Sequence, residues 1–111
     1  MKLALLSDIH SNYCALRAVL NVVRQHNVDT LLIAGDFIGY YFWPLEVFQL
    51  LKSWNVVAVR GNHDRMLRKA RIDQSYLRRV SEKYGSGLSI ALDQLDSERL
   101  DWLTDLPDSL V

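Results

Sequence analysis

The sequence predicts an α/β fold in which parallel strands and helices alternate in the order β-α-β-α-β. Three observations predict it. Unbroken apolar runs recur at Leu3–Leu6, Thr30–Ala34 and Val56–Val59, and runs without alternation are expected of parallel strands covered on both faces. Stretches with helical spacing separate the runs. A polar cluster follows each run.

The first strand is placed near residues 2–7. In the helix after it, Leu16, Val19, Leu20 and Val23 recur at i, i+3, i+4 and i+7, and Ser11 or Asn12 can cap its start. A second strand is placed near 30–35. Pro44 suits the first position of the next helix, where Val47, Leu50, Leu51 and Trp54 repeat the helical spacing. The third strand is placed near 55–60, and right-handed crossovers would layer the three. Beyond Val59 the strand signals stop. Residues 65–84 read as a loosely periodic helix, broken by Gly85 and Gly87. Leu88–Leu95 forms a further helical patch, and Ser97 can cap a last short helix that Pro107 ends. Residues 1–111 thus make a single domain, but three strands leave the sheet edges unshielded. The chain reads as the truncated front part of a larger domain.

Composition narrows the function. Half of the 111 residues are hydrophobic and 23% are charged, which describes a soluble globular chain. Lys plus Arg and Asp plus Glu number 13 each. That balance supports neither non-specific nucleic-acid binding nor adhesion to anionic membranes. The balance hides a gradient: residues 60–83 hold eight bases against three acids, and residues 84–111 hold one base against six acids. Such asymmetry marks either a partner-facing segment or faces that pair and are solvated. Cys14 is the only cysteine, so no internal disulfide forms and there is no secretion signature. Leu3–Leu6 is too short for a signal-peptide core, and no apolar run approaches the roughly 18 residues of a membrane span. The expected compartment is the cytoplasm.

The clusters after the runs are Asp8-Ile9-His10, Gly35-Asp36 and Gly61-Asn62-His63-Asp64. Ligands of open α/β sheets sit outside the carboxyl ends of the strands, where all three clusters fall. Residues i and i+2 of an extended segment point the same way, so Asp8 and His10 can address one point. Two carboxylates, an imidazole and an amide oxygen suit Mn, Fe, Zn or a similar divalent ion better than a thiolate-type site would. Asp36 is the carboxylate best placed to bridge two metals. Each piece has a plainer reading: Asp8 as a helix cap, Gly35-Asp36 as a turn, the third cluster as a polar loop. Their order and common placement at strand ends favour the site. Asp64 can orient His63 or cap the next helix, and the cap is preferred. Tyr40-Tyr41-Phe42-Trp43 can line a substrate pocket, or pack in the core or against a partner. The basic stretch from Arg60 to Arg71 can attract phosphate or form a solvated helix face.

These three clusters resemble the first three blocks of the calcineurin-like metallophosphoesterases. Ser7–Asn12 and Gly35–Tyr40 are most similar to the small prokaryotic phosphodiesterase branch, as is Trp102–Pro107. The resemblance implies the first half of a four-layer α-β-β-α sandwich. It implies a hydrolase that cleaves phosphomonoesters or phosphodiesters by a dinuclear-metal hydroxide mechanism, with two divalent ions drawn from Mn, Fe, Zn or Ni. Carried over, Asp8 and His10 bind the first metal, Asp36 bridges both and Asn62 binds the second. His63 stands at the leaving-group oxygen as a general acid, or steadies transition-state charge. The implied substrate is a phosphate-ester small molecule or a nucleotide, with no membrane partner and little support for nucleic acid. Two departures matter. The family uses further histidines, and this chain has only His10, His26 and His63. Gly39 and Tyr40 stand where protein phosphatases carry an Asp-Arg pair. The isolated chain is therefore expected to be inactive and prone to self-association. The competing reading is a non-catalytic scaffold on the same fold.

Overall fold

The computed structural model describes residues 1–110. Its elements are β1 (Leu3–Leu6), α1 (Tyr13–Gln25), β2 (Thr30–Ile33), α2 (Pro44–Leu51), β3 (Asn55–Ala58), α3 (Asn62–Ile72), α4 (Gln74–Tyr84), α5 (Gly87–Gln94) and α6 (Ser97–Thr104). The strands pair in parallel, in chain order, with Leu5 opposite Leu32 and Leu32 opposite Val57. The β-α-β-α-β order is as the sequence predicts. Each strand stops short of its expected end, the first two because the backbone then turns sharply. Asp8, Gly35 and Asp36 take φ values of 56°, 96° and 58°.

Helix boundaries follow their caps. Of the two candidates for α1, Asn12 is the cap: its side chain accepts from the Ala15 N–H at 3.1 Å. The stretch 65–84 is two helices rather than one. Asp73 turns out of helical geometry, and its carboxylate accepts from the Tyr76 N–H to start α4. Asp96, not Ser97, caps α6, accepting from the Arg99 N–H at 2.9 Å.

The expectation of strands covered on both faces is corrected. Ala4, Leu31 and Val56 share one face with Leu6, Ile33 and Ala58, and there Leu31 and Ile33 are fully buried. The other face carries Leu3, Leu5 and Val57, with Leu5 74% exposed. Helices α1 and α2 pack against each other. Both crossovers therefore return on the same side, and the far face is left to solvent. An apolar run marks a strand as buried, but it does not say which face this chain itself covers. No helix among the described residues is long and apolar enough to cross a membrane.

The segment after α6 is tied back to the end of β3. The Arg60 N–H donates to the Pro107 carbonyl at 2.9 Å, and the Arg60 and Arg65 guanidiniums both bind the Asp108 carboxylate. Those two cations, Arg60 first, hold the Asp108 carboxyl well below the usual carboxylate range. A depressed folded pKa gives stability that is present above the ordinary carboxylate range and lost as the pH falls from there through the lower folded pKa. Asp108→Asn is expected to speed hydrogen exchange at the Arg60 amide at neutral pH. Acidification below about pH 4 is expected to do the same to the native chain.

Candidate metal centre

The site sits at the carboxyl ends of all three strands, on backbone that few residues adopt. Asp8, His10, Ser11, Asp36 and Tyr40 all have positive φ, between 49° and 64°. Left-handed backbone at non-glycine residues persists only where the surroundings fix it, and it concentrates at functional sites. Here the loops fix one another. The His10 N–H donates to the Asp36 carbonyl and the Ser11 N–H to the Phe37 carbonyl, both at 2.8 Å. The Tyr41 N–H donates to the His10 carbonyl at 3.2 Å, and the Trp43 N–H to the Ser11 carbonyl at 3.1 Å.

Asp8, His10 and Asp36 each offer a donor atom, and the three lie within 4.8 Å of one another. The second-strand carboxylate is thus brought to the Asp8–His10 pair, as the sequence predicts. His10 Nδ1 lies 3.0 Å from the Ile38 carbonyl. A carbonyl only accepts, so Nδ1 carries the hydrogen and, in the neutral ring, Nε2 presents a lone pair. That Nε2 faces Asp8 Oδ1 at 3.2 Å. The Ser7 hydroxyl, donating at 2.8 Å, holds the Asp8 carboxyl below its ordinary value, against the smaller effect of burial. The Asn62 carboxamide completes the group, with one terminal atom 3.1 Å from both Asp36 carboxylate oxygens. With its nitrogen there, Asn62 donates to both. With its oxygen there, three acceptors converge, and only a cation satisfies them. The two carboxylates and the imidazole, with the Asn62 oxygen where it faces them, fit a divalent ion.

Two glycines and an aspartate bring the loops this close. A Cβ on Gly35 would stand 2.6 Å from Gly61 Cα, and one on Gly61 would strike the Asp36 carboxylate. Neither position takes a side chain without moving backbone. Asp64 is fully buried and accepts three backbone N–H groups, from Asp36 at 2.7 Å, Gly61 at 2.9 Å and Phe37 at 3.1 Å. It caps α3 through Gly61, as preferred from the sequence, and it also joins the second cluster to the third. Burial pushes its carboxyl up to about 6, against the pull of those donors.

His63 is placed beside the donors, but it is buried. Its ring centroid lies 4.9 Å from that of His10, 4.8 Å from Tyr40 and 5.2 Å from Tyr84. Its Nδ1 is buried without a hydrogen-bond partner. Burial first, and then His10, push its pKa below the ordinary histidine value. Its backbone N–H donates to Asp36 Oδ1 at 2.9 Å, so His63 also orients the central carboxylate. Tyr84 belongs to this wall and carries no local signal in the sequence; only the packing of α4 brings it in. Tyr40, Tyr41, Phe42 and Trp43 are between 38% and 49% exposed, so the core reading of that segment does not hold.

The chain matches the family model for calcineurin-like phosphoesterases over residues 1–107. It is 30% identical over 64 residues to a phosphodiesterase of Methanocaldococcus jannaschii, covering 58% of this chain and 37% of that protein. It is 40% identical over 67 residues to a symmetrical bis(5′-nucleosyl)-tetraphosphatase of Sodalis glossinidius, covering 58% of this chain and 24% of that protein. A crystal structure of a metallophosphoesterase from Sphaerobacter thermophilus superposes on the whole chain with a TM-score of 0.72 at 28% identity, covering 43% of its own chain. The chain therefore spans less than half the length of each of these relatives. With its parallel sheet, its strand-end donors and this match along nearly its full length, the chain belongs to the calcineurin-like phosphoesterase family.

Proposed function

We propose that this chain carries the amino-terminal donor set of a metal-dependent phosphoesterase acting on a phosphate-ester small molecule or a nucleotide. One observation carries the reading: acceptor atoms of Asp8, His10 and Asp36 lie within 4.8 Å of one another, and the Asn62 carboxamide meets Asp36 from the third strand end. Asp8 and His10 would hold one divalent ion, Asp36 would lie between two, and Asn62 would hold the second. When bound, such ions supply Lewis acidity toward a phosphoryl oxygen and acidify water.

The chain's own residues do the rest. The Ile38 carbonyl fixes the His10 tautomer with Nε2 toward the donors. The His63 N–H sets the angle of the Asp36 carboxylate. The His63 ring is walled by Tyr40 and Tyr84, and burial pushes its pKa below the ordinary histidine value. Of the two roles the resemblance implies, its surroundings support donating an N–H to developing negative charge over giving up a proton. The exposed aromatics at 40–43 give a nucleobase or aryl ester a face to stack on. The open face around Leu5 supports self-association, and the lone cysteine supports a cytoplasmic setting. One observation favours the scaffold reading: the three convergent donors plus Asn62 are fewer than two four-coordinate sites require.

Calorimetric titration with Mn decides between them. The chain is expected to bind Mn weakly and with partial occupancy, and Asp36→Asn is expected to abolish the heat. Removing an outer partner alone costs about 10–100-fold in metal affinity, and Asp36 is central to the donor set. Equal Mn binding by the wild type and Asp36→Asn would leave only the scaffold.

A further inference from the structure

We infer that α3 and α4 carry a second anion-binding surface, a row of cations leading to the candidate metal centre and suited to a chain of several linked phosphates. It begins at Lys69 near the end of α3. Lys69 Nζ stands 4.6 Å from the centroid of the Tyr76 ring, and the Arg79 guanidinium stands 5.9 Å from the same ring. One turn further along α4, Lys83 Nζ lies 5.3 Å from the Tyr84 ring. Tyr84 in turn packs on His63 and Tyr40, with ring centroids 5.2 Å and 6.3 Å away. Lys69 and Arg79 thus meet on Tyr76, Lys83 stands one turn beyond Arg79 on the same helix, and Lys83 rests on Tyr84, which packs on the wall of the donor cluster.

The charge on this line is free. Arg60, Arg65, Arg71 and Arg99 are held by carboxylates, while Lys69, Arg79 and Lys83 have no carboxylate partner among the described residues. Asp73, the nearest acid to Tyr76 in sequence, is occupied with the α4 cap. Glu82, the other acid on α4, makes no ion pair among the described residues. The three cations are exposed, while the tyrosines beneath them are half-buried and steady their stems. Tyr76 and Lys83 are seven residues apart on one helix, so the row runs for about 10 Å. A single phosphate would meet one cation at a time. A linear polyphosphate can meet several while its terminal phosphoryl group reaches Asp8, His10 and Asp36.

The inference rests on the donor cluster being the phosphoryl end, but its test works without metal. Tripolyphosphate and orthophosphate would be titrated into the chain in low salt with EDTA, followed by amide NMR shifts. Tripolyphosphate is expected to bind about tenfold more tightly than orthophosphate, with shifts along 69–84 and affinity that falls as salt rises. The triple variant Lys69→Ala, Arg79→Ala, Lys83→Ala is expected to lose that tenfold advantage, and Lys52→Ala, which removes an exposed cation off the row, is expected to keep it. All three substitutions are on exposed helix positions, and circular dichroism checks the fold. Loss in Lys52→Ala, or no loss in the triple variant, would overturn the inference. So would tighter binding of a single-stranded oligonucleotide through the same three cations, which would mark the row as a nucleic-acid surface. Failure of Mn titration with the tripolyphosphate result intact would sink the metal reading alone.

Discussion

Asp64→Ala is expected to cost about 3 kcal/mol or more in urea unfolding, since it leaves three buried backbone N–H groups without an acceptor. That is a large part of the stability a domain of this size has. Asp64→Asn keeps one acceptor oxygen and is expected to cost less. The wild type also has a pH signature of definite sign. Burial raises the folded carboxyl to about 6, so the folded state holds a proton that the unfolded chain has released. Stability is then greatest below about pH 4 for this group and falls by up to about 3 kcal/mol as the pH rises through 6. Asp64→Asn has no such group, and its unfolding free energy is expected to lose that slope. An unchanged slope in the asparagine variant would place the titration elsewhere.

A larger effect still is expected on turnover. The 111 residues alone are expected to hydrolyse bis-p-nitrophenyl phosphate near the uncatalysed rate, even with excess Mn. A longer chain, one that adds the later histidines implied by the family resemblance, is expected to show turnover that a chelator removes. In that longer chain Asp36→Asn or His63→Ala is expected to lower the rate by about 100-fold or more. Both lengths would be assayed at equal concentration. Equal rates, or a longer chain inert with every metal tried, would transfer the case to the scaffold reading.

The donor cluster was legible because its residues sit at strand ends. Asp8, His10, Asp36 and Asn62 each follow an apolar run within a few positions, so locating the strands locates the donors. Other features depend on long-range packing and leave no local trace. The three N–H groups that converge on Asp64 come from two loops, and Tyr84 reaches His63 from the far end of the next helix. The split at Asp73 was readable in principle, since an aspartate before a helical stretch is a cap signal. The open face of the sheet was not, because Leu5 and Leu31 are equally apolar and only the placement of the helices distinguishes them.

The left-handed residues around the donors also bear on how this sequence can change over generations. Asp8, His10, Ser11, Asp36 and Tyr40 each hold a conformation that costs an ordinary residue about 1–2 kcal/mol and glycine almost nothing. A screen that rewards thermal stability alone should therefore enrich glycine at these positions and erase the donors as it does so. Selection for the chemistry has to oppose selection for the fold at this end of the sheet.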